Sequence, residues 1–249
     1  MVERVSSGIP GLDKLISGGF VRNSINLVSG ATGTCKTIFG LQYIWNGLQK
    51  GENGVYITLE QEPEDIFADV ECFGWDFKEY IKKKQCIIEY LPTWDLNELP
   101  LLVIDKINEV KAQRFVLDTL SLVCSELEPI RMRSEISEFL NKLKHSGATS
   151  LLIAEIPEGS KALSTFGIEE FLVDGVLVLN YLEFVAGGSP RSLIIRKMRR
   201  TKHGSDIYPI NITNKGLTLS NFSDVTELVE KHERKPISRN KIKRKHKKS

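Results

Sequence analysis

The chain has 249 residues, 41% hydrophobic and 27% charged, with 34 Lys and Arg against 32 Asp and Glu. That composition suits a domain large enough to bury a core without disulfides or a structural metal. The densest apolar runs, at 99–104 and 150–154, fall far short of the ~20 residues that cross a bilayer. No basic segment followed by an apolar one opens the chain, so a cytoplasmic protein without membrane contact is expected. Cys35, Cys72, Cys86 and Cys124 are widely spaced, and His145, His203, His232 and His246 are dispersed. Neither a zinc site nor a redox dithiol is therefore indicated.

The near-neutral total hides an asymmetry. Residues 230–249 carry ten Lys and Arg against Glu230 and Glu233, a formal +8. The remainder then holds 24 basic and 30 acidic residues, a formal −6.

In chain order, short β-branched runs alternate with amphipathic stretches, the rhythm of an α/β sheet. Strands are predicted over 24–28, 54–59, 86–90, 115–117, 150–154 and 175–179, with helices over 36–49, 63–73, 96–111 and 134–145. In the last helix Ile136, Phe139, Leu140 and Leu143 recur at i, i+3, i+4 and i+7, and Gly147 supplies the stop. Strand–helix–strand units of this length imply parallel pairing with right-handed crossovers. After Gly175 the rhythm changes. Turns at 181–183, 187–190 and 214–216 are expected to join 175–179, 192–198 and 217–219 into an antiparallel edge. One domain over residues 1–229 and a disordered basic tail over 230–249 follow.

The strongest chemical signal is Gly30-Ala31-Thr32-Gly33-Thr34-Cys35-Lys36-Thr37, placed between a predicted strand and a predicted helix. Glycines let backbone amides curl round a phosphate, the helix N-terminus adds positive potential, and lysine reaches the terminal phosphates. ATP with Mg2+ is the expected ligand, with Thr37 on the metal. Cys35 replaces the glycine that ordinarily precedes the lysine. Beside Lys36 at a helix start, its thiol pKa is expected to be lowered, allowing a redox brake on the loop; a small residue tolerated in a turn is the simpler reading. Arg114-Phe115-Val116-Leu117-Asp118 reads as a buried strand ending in a carboxylate, a second metal ligand expected on the strand next to the phosphate loop. Residues 54–59 deliver Glu60, Gln61 and Glu62 to the carboxyl edge of the sheet, where open α/β folds place ligands, and Glu60 is the candidate base for water. Phe39, Trp45, Phe73, Trp75 and Phe77 read as packing groups. The tail has no aromatic residue, so it would attract phosphates without stacking bases.

Together these segments resemble a known family. Residues 4–20, with Ser7-Gly8-Ile9-Pro10-Gly11-Leu12-Asp13 at their centre, the loop 30–37, Phe171-Leu172-Val173-Asp174-Gly175-Val176, and the run 195–203 containing Lys197, Arg199, Thr201 and His203 are similar to the single-domain archaeal KaiC-like ATPases of the RecA superfamily. The resemblance runs through about residues 4–220. It implies a three-layer RecA-like P-loop NTPase core with a mostly parallel sheet and antiparallel C-terminal edge strands. It also implies ATP hydrolysis between subunits of a hexamer-like homo-oligomeric ring, serving as a regulatory switch or timer. By position it makes Asp118 the Walker B acid and Glu60 the first of a catalytic pair that is usually Glu-Glu. The second member here is Gln61, which takes up no proton at neutral pH. Lys197, Arg199 and His203 would reach the γ-phosphate held by a neighbouring subunit, with Arg200 standing where the signature has glycine.

Read without the resemblance, Lys197, Arg199 and Arg200 form a basic strand face or a nucleic-acid patch. An alternative function is a nucleotide-gated, single-stranded-DNA-binding or recombination accessory protein of the RadA-paralogue type. It would place DNA loops after Asp118 and after Glu155, although 158–166 offers only Lys161 as a base. An inactive nucleotide-binding scaffold is the third reading, drawn from Cys35 and Gln61.

Overall fold

The computed structural model describes residues 2–93, 98–182 and 191–220. The elements run β1 (Arg4–Val5), α1 (Leu12–Leu15), β2 (Phe20–Val21), β3 (Ile25–Gly30), α2 (Lys36–Gln49), β4 (Gly54–Thr58), α3 (Pro63–Glu71), α4 (Phe77–Lys82) and β5 (Cys86–Tyr90). They continue α5 (Leu99–Val110), β6 (Arg114–Asp118), α6 (Leu120–Ser125), α7 (Pro129–His145), β7 (Thr149–Glu155), α8 (Glu169–Leu172), β8 (Gly175–Tyr181), β9 (Arg191–Met198), β10 (Ile207–Thr213) and β11 (Gly216–Leu219).

Nine strands form one mixed sheet in the order β11-β10-β9-β8-β3-β7-β6-β4-β5, with β1 and β2 paired apart from it. From β8 to β5 every pairing is parallel, and from β8 to β11 every pairing is antiparallel. Alternate residues of the central strands serve opposite faces, as the two-residue period requires. Val28, Tyr56, Val116, Leu151 and Ile153 join a core with α1, α2, α3 and α4. Leu27, Val55, Ile57, Phe115, Leu117 and Leu152 join a second core with α5, α6 and α7. Both faces are thus covered, which is why these strands read as continuous apolar runs. This is the expected three-layer arrangement.

Helix α2 settles closely on the sheet because its second turn presents Gly40, where a Cβ would crowd Ile153, Val116 and Tyr56. That approach sets the helix start over the ends of β6 and β4.

Several expectations need correction. Tyr181 belongs to β8 and is not in a turn. Strand β10 is an addition to the expected elements: Tyr208, Ile210 and Ile212 alternate as a strand requires, but Pro209, which has no N–H to give a ladder, argues against one; residue 198 is joined to 217 through this strand, not by one turn. Helix α7 begins five residues earlier than expected, at Pro129, a favoured first helical residue lacking the N–H that would go unpaired there. Helices α4 and α6 are too short to show a period. Strand β6 is not adjacent to β3, because β7 lies between them. The expected turn at 187–190, the boundary at 229 and the tail 230–249 lie outside the described residues.

Candidate active site

The loop 31–35 leaves the carboxyl end of β3 and enters α2, with Gly30 at its root and its own Thr34 buried. Thr34 Oγ1 and Lys36 Nζ both donate to Ala31 O, at 2.8 and 3.0 Å. Gly33 has φ +72°, and its carbonyl accepts from Tyr181 Oη and Arg191 Nε, each at 2.8 Å. Arg191 also lies over the Tyr181 ring, 5.4 Å from its centroid. The β8 and β9 ends thereby clamp the loop from the far side.

Cys35 adopts φ +73°, in the left-handed region a glycine enters freely. The loop keeps its shape and bears the steric cost of a Cβ. The expectation of a lowered thiol pKa is overturned. Burial pushes the Cys35 thiol up and outweighs the opposing charges of Arg191 and Lys36.

Thr37 Oγ1 donates to Asp118 Oδ2 at 2.9 Å, and Tyr56 Oη donates to the same oxygen at 2.6 Å. Burial raises the Asp118 pKa, although both hydroxyl donors and the Lys36 charge oppose the rise. The Tyr56 phenol is pushed well above its ordinary value by burial and by the Asp118 charge. The backbone N–H groups of Glu60 and Gln61 donate to Thr58 Oγ1 at 3.1 and 3.2 Å, which turns the chain out of β4 toward the cavity. Glu60 keeps an exposed edge while its carboxyl is partly withdrawn from water. That partial burial raises its pKa, the Asp118 and Glu155 charges raise it further, and Lys36 opposes them.

Lys36, Thr37, Glu60, Gln61, Asp118 and Glu155 share one cavity of about 580 Å³. Thr37 and Asp118 are hard oxygen donors of the kind magnesium takes, and Lys36 with Arg191 supplies cationic lining for phosphates. The donor set fits a magnesium nucleotide. Tyr56, Glu155, Tyr181 and Arg191 escaped sequence reading. Glu155 carried the one usable signal, an acid ending an apolar run.

Lys197, Arg199 and His203 do not line this cavity. Strand β9 runs antiparallel to β8, so Arg191 sits by the loop and Lys197 lies six residues on, about 20 Å away at ~3.3 Å per residue. Lys197 Nζ donates to Val173 O at 2.7 Å and Glu170 O at 2.9 Å. Its pKa is lowered, by burial first and then by the Arg199 charge. Arg199 pairs with Asp174 at 3.4 Å, and His203 Nδ1 lies 2.8 Å from Gly204 O. Arg200 adopts φ +57°, so the turn expected of a glycine forms without one. In the 158–166 segment, Ser164 is buried and Thr165 Oγ1 donates to Glu155 O at 2.7 Å. The loop is tied to the sheet.

A family model described as ATPase: KaiC matches residues 5–222. The chain belongs to this family. It is 34% identical over 238 residues to a UPF0273 protein of Thermotoga maritima, covering 88% of this chain and 96% of that one. The circadian clock protein KaiC3 of Synechocystis is 30% identical over 226 residues, and the match covers 86% of this chain but 45% of that protein. The crystal structure of the KaiC-like protein PH0186 from Pyrococcus horikoshii OT3 superposes with a TM-score of 0.81 at 35% identity, covering 89% of this chain and all of that one. Membership carries the KaiC-like ATPase domain and its RecA-type fold. Among the described residues no helix is long and apolar enough to cross a membrane.

Proposed function

We propose that this KaiC-family chain binds ATP with Mg2+ in the 580 Å³ cavity and hydrolyses it at the interfaces of a hexamer-like ring, turnover acting as a switch or timer. The observation that carries the reading is the Thr37–Asp118 contact at 2.9 Å with Lys36 and Glu60 in the same cavity. Lys36 exchanges Ala31 O for a phosphate oxygen, a charge-assisted contact stronger than the one it gives up. Thr37 and Asp118 would hold the metal, which when bound neutralises charge on the β- and γ-oxygens. Glu60 accepts the proton of the attacking water, and its raised pKa makes it a better base once ionised. Gln61 orients water through its amide without taking a proton.

Lys197 and Arg199 stand too far along β9 to act on the phosphate of their own loop. Their role is therefore in trans: they leave the carbonyls of Glu170 and Val173 and the carboxylate of Asp174 and reach a neighbour's γ-phosphate. A cation supplied across an interface is worth about 10³ to 10⁵ in rate. The test is subunit mixing. Lys36→Ala and Arg199→Ala chains should each be nearly inactive, and together they should recover turnover, because some interfaces pair an intact loop with an intact arginine. Full activity of a strictly monomeric preparation would refute the trans role, and unchanged ATP affinity and turnover in folded Lys36→Ala would exclude the loop as the site.

A further inference from the structure

Along α3, Glu64, Phe67, Ala68 and Glu71 recur at i, i+3, i+4 and i+7, and with Trp75 and Phe77 they line a second cavity of about 490 Å³, separate from the nucleotide cavity. Three of its lining residues are aromatic, with Phe67 partly exposed above the buried Trp75 and Phe77, and its rim is acidic. Asp76 adds a third carboxylate, and Lys78 is the one base of the lining, its ammonium 5.1 Å from the Phe67 ring centroid. The aromatic floor thus already accommodates a cation. Residues 60–71 contain six acidic and no basic side chains. Among the described residues Glu64 and Glu71 enter no ion pair.

The complement is in the same chain. Gly216, at the start of β11, abuts the Trp75 ring, and the described chain reaches Ser220 four residues later. Residues 221–229 span up to ~30 Å when extended, enough to return to this cavity. Residues 230–249 then bring a formal +8 to a body of formal −6. Lysine and arginine stems cover aromatic surface while their heads reach carboxylates at its rim.

We infer that residues 230–249 dock on the α3–α4 cavity of their own chain, with lysine and arginine heads on Glu64, Glu71 and Asp76 and their stems across the partly exposed Phe67 ring. Docking sets the basic segment on one side of α3. Asp69, on the same helix, and Cys72, just beyond its end, line the nucleotide cavity. The tail therefore lies one helix away from bound nucleotide.

Zero-length carbodiimide coupling of the full chain tests this, since it joins a carboxylate and an amine in contact as an amide with loss of water. At about 0.01 M salt, isopeptide bonds from lysines of 230–249 to Glu64, Glu71 or Asp76 are expected in the mass spectrum. At about 1 M salt, where the Debye length shrinks from about 30 to about 3 Å, they should fall about tenfold or more. The charge reversals Glu64→Lys and Glu71→Lys, both at exposed positions, should together remove the tail's links to Asp76 as well. Mixing isotopically heavy and light chains should give links within one chain only. Absence of these links at low salt, or their persistence in the reversed variant, would overturn the proposal. Links solely between unlike chains would assign the tail to a second copy and also overturn it. So would retention of a single-stranded oligonucleotide by the tail without any link to α3, which would assign the tail to nucleic acid.

Discussion

Replacing Glu60 with Gln separates water activation from nucleotide binding. The substitution keeps side-chain size and one hydrogen-bonding oxygen but removes the proton acceptor. Because the backbone at Glu60 and Gln61 is held by Thr58 Oγ1 at 3.1 and 3.2 Å, the segment keeps its place when the carboxylate goes. Loss of a positioned general base costs about 10² to 10⁴ in rate. At about 1.36 kcal/mol per tenfold, that is about 3 to 5 kcal/mol of transition-state stabilisation. Affinity for ATP should be nearly unchanged, since Lys36, Thr37 and Asp118 are untouched. Single-turnover hydrolysis alongside equilibrium binding of a fluorescent ATP analogue measures both.

The same carboxyl gives a pH signature. Its pKa is raised by partial burial and by the Asp118 and Glu155 charges, so protonation disables the base and kcat falls as pH drops through that raised value. Glu155→Gln removes one of the like charges and should move this acid limb to lower pH. Glu60→Gln should abolish the limb. Turnover of Glu60→Gln within a factor of ten of wild type, or rate and affinity lost in equal measure, would refute the reasoning.

Three further outcomes concern stability. Cys35→Gly removes a left-handed Cβ cost of about 1 to 2 kcal/mol and returns about 0.4 to 1 kcal/mol of backbone entropy to the unfolded chain, so thermal unfolding should shift upward by a few degrees; a lower Tm would mean that thiol packing outweighs the strain. Asp174 is raised by burial but lowered more by the Ile25 N–H, Lys144 and Arg199, so its folded pKa lies below its unfolded one. That stability is present above the unfolded carboxylate value of about 3.9 and disappears as pH falls through the folded value. Asp174→Asn should therefore lower stability near neutrality and converge with wild type in acid, and a constant gap across pH would count against the pairing. Arg114 is buried at 1% exposure, with Nε donating to Glu52 at 2.6 Å and Nη1 to Tyr43 O at 2.7 Å and Ser6 O at 3.0 Å. Arg114→Met should cost about 3 to 5 kcal/mol in denaturant unfolding by stranding those acceptors, and a loss below about 1 kcal/mol would show that they find water instead.

The sequence alone determined the alternation of strands and helices, the loop 30–37 and the carboxylates at strand ends. Those features rest on local periods and on residue types a short segment must have to bind phosphate. It also determined the family, because several separated motifs occur in consistent order. Tertiary structure alone decided strand order. Hydrogen bonding between strands is indifferent to their distance along the chain, so nothing local revealed that β7 separates β3 from β6. The Tyr56–Asp118 and Arg191–Gly33 contacts were invisible for the same reason, since they join residues 62 and 158 positions apart. The direction of the Cys35 pKa shift was misread because the sequence displays the neighbouring charge of Lys36 but not the burial that outweighs it. The placement of Lys197 and Arg199 at the far end of β9 was likewise decided by the antiparallel turn of the sheet edge. A strand reverses the destination of its last residues according to its partner's direction, and residue pattern alone carries no record of that choice.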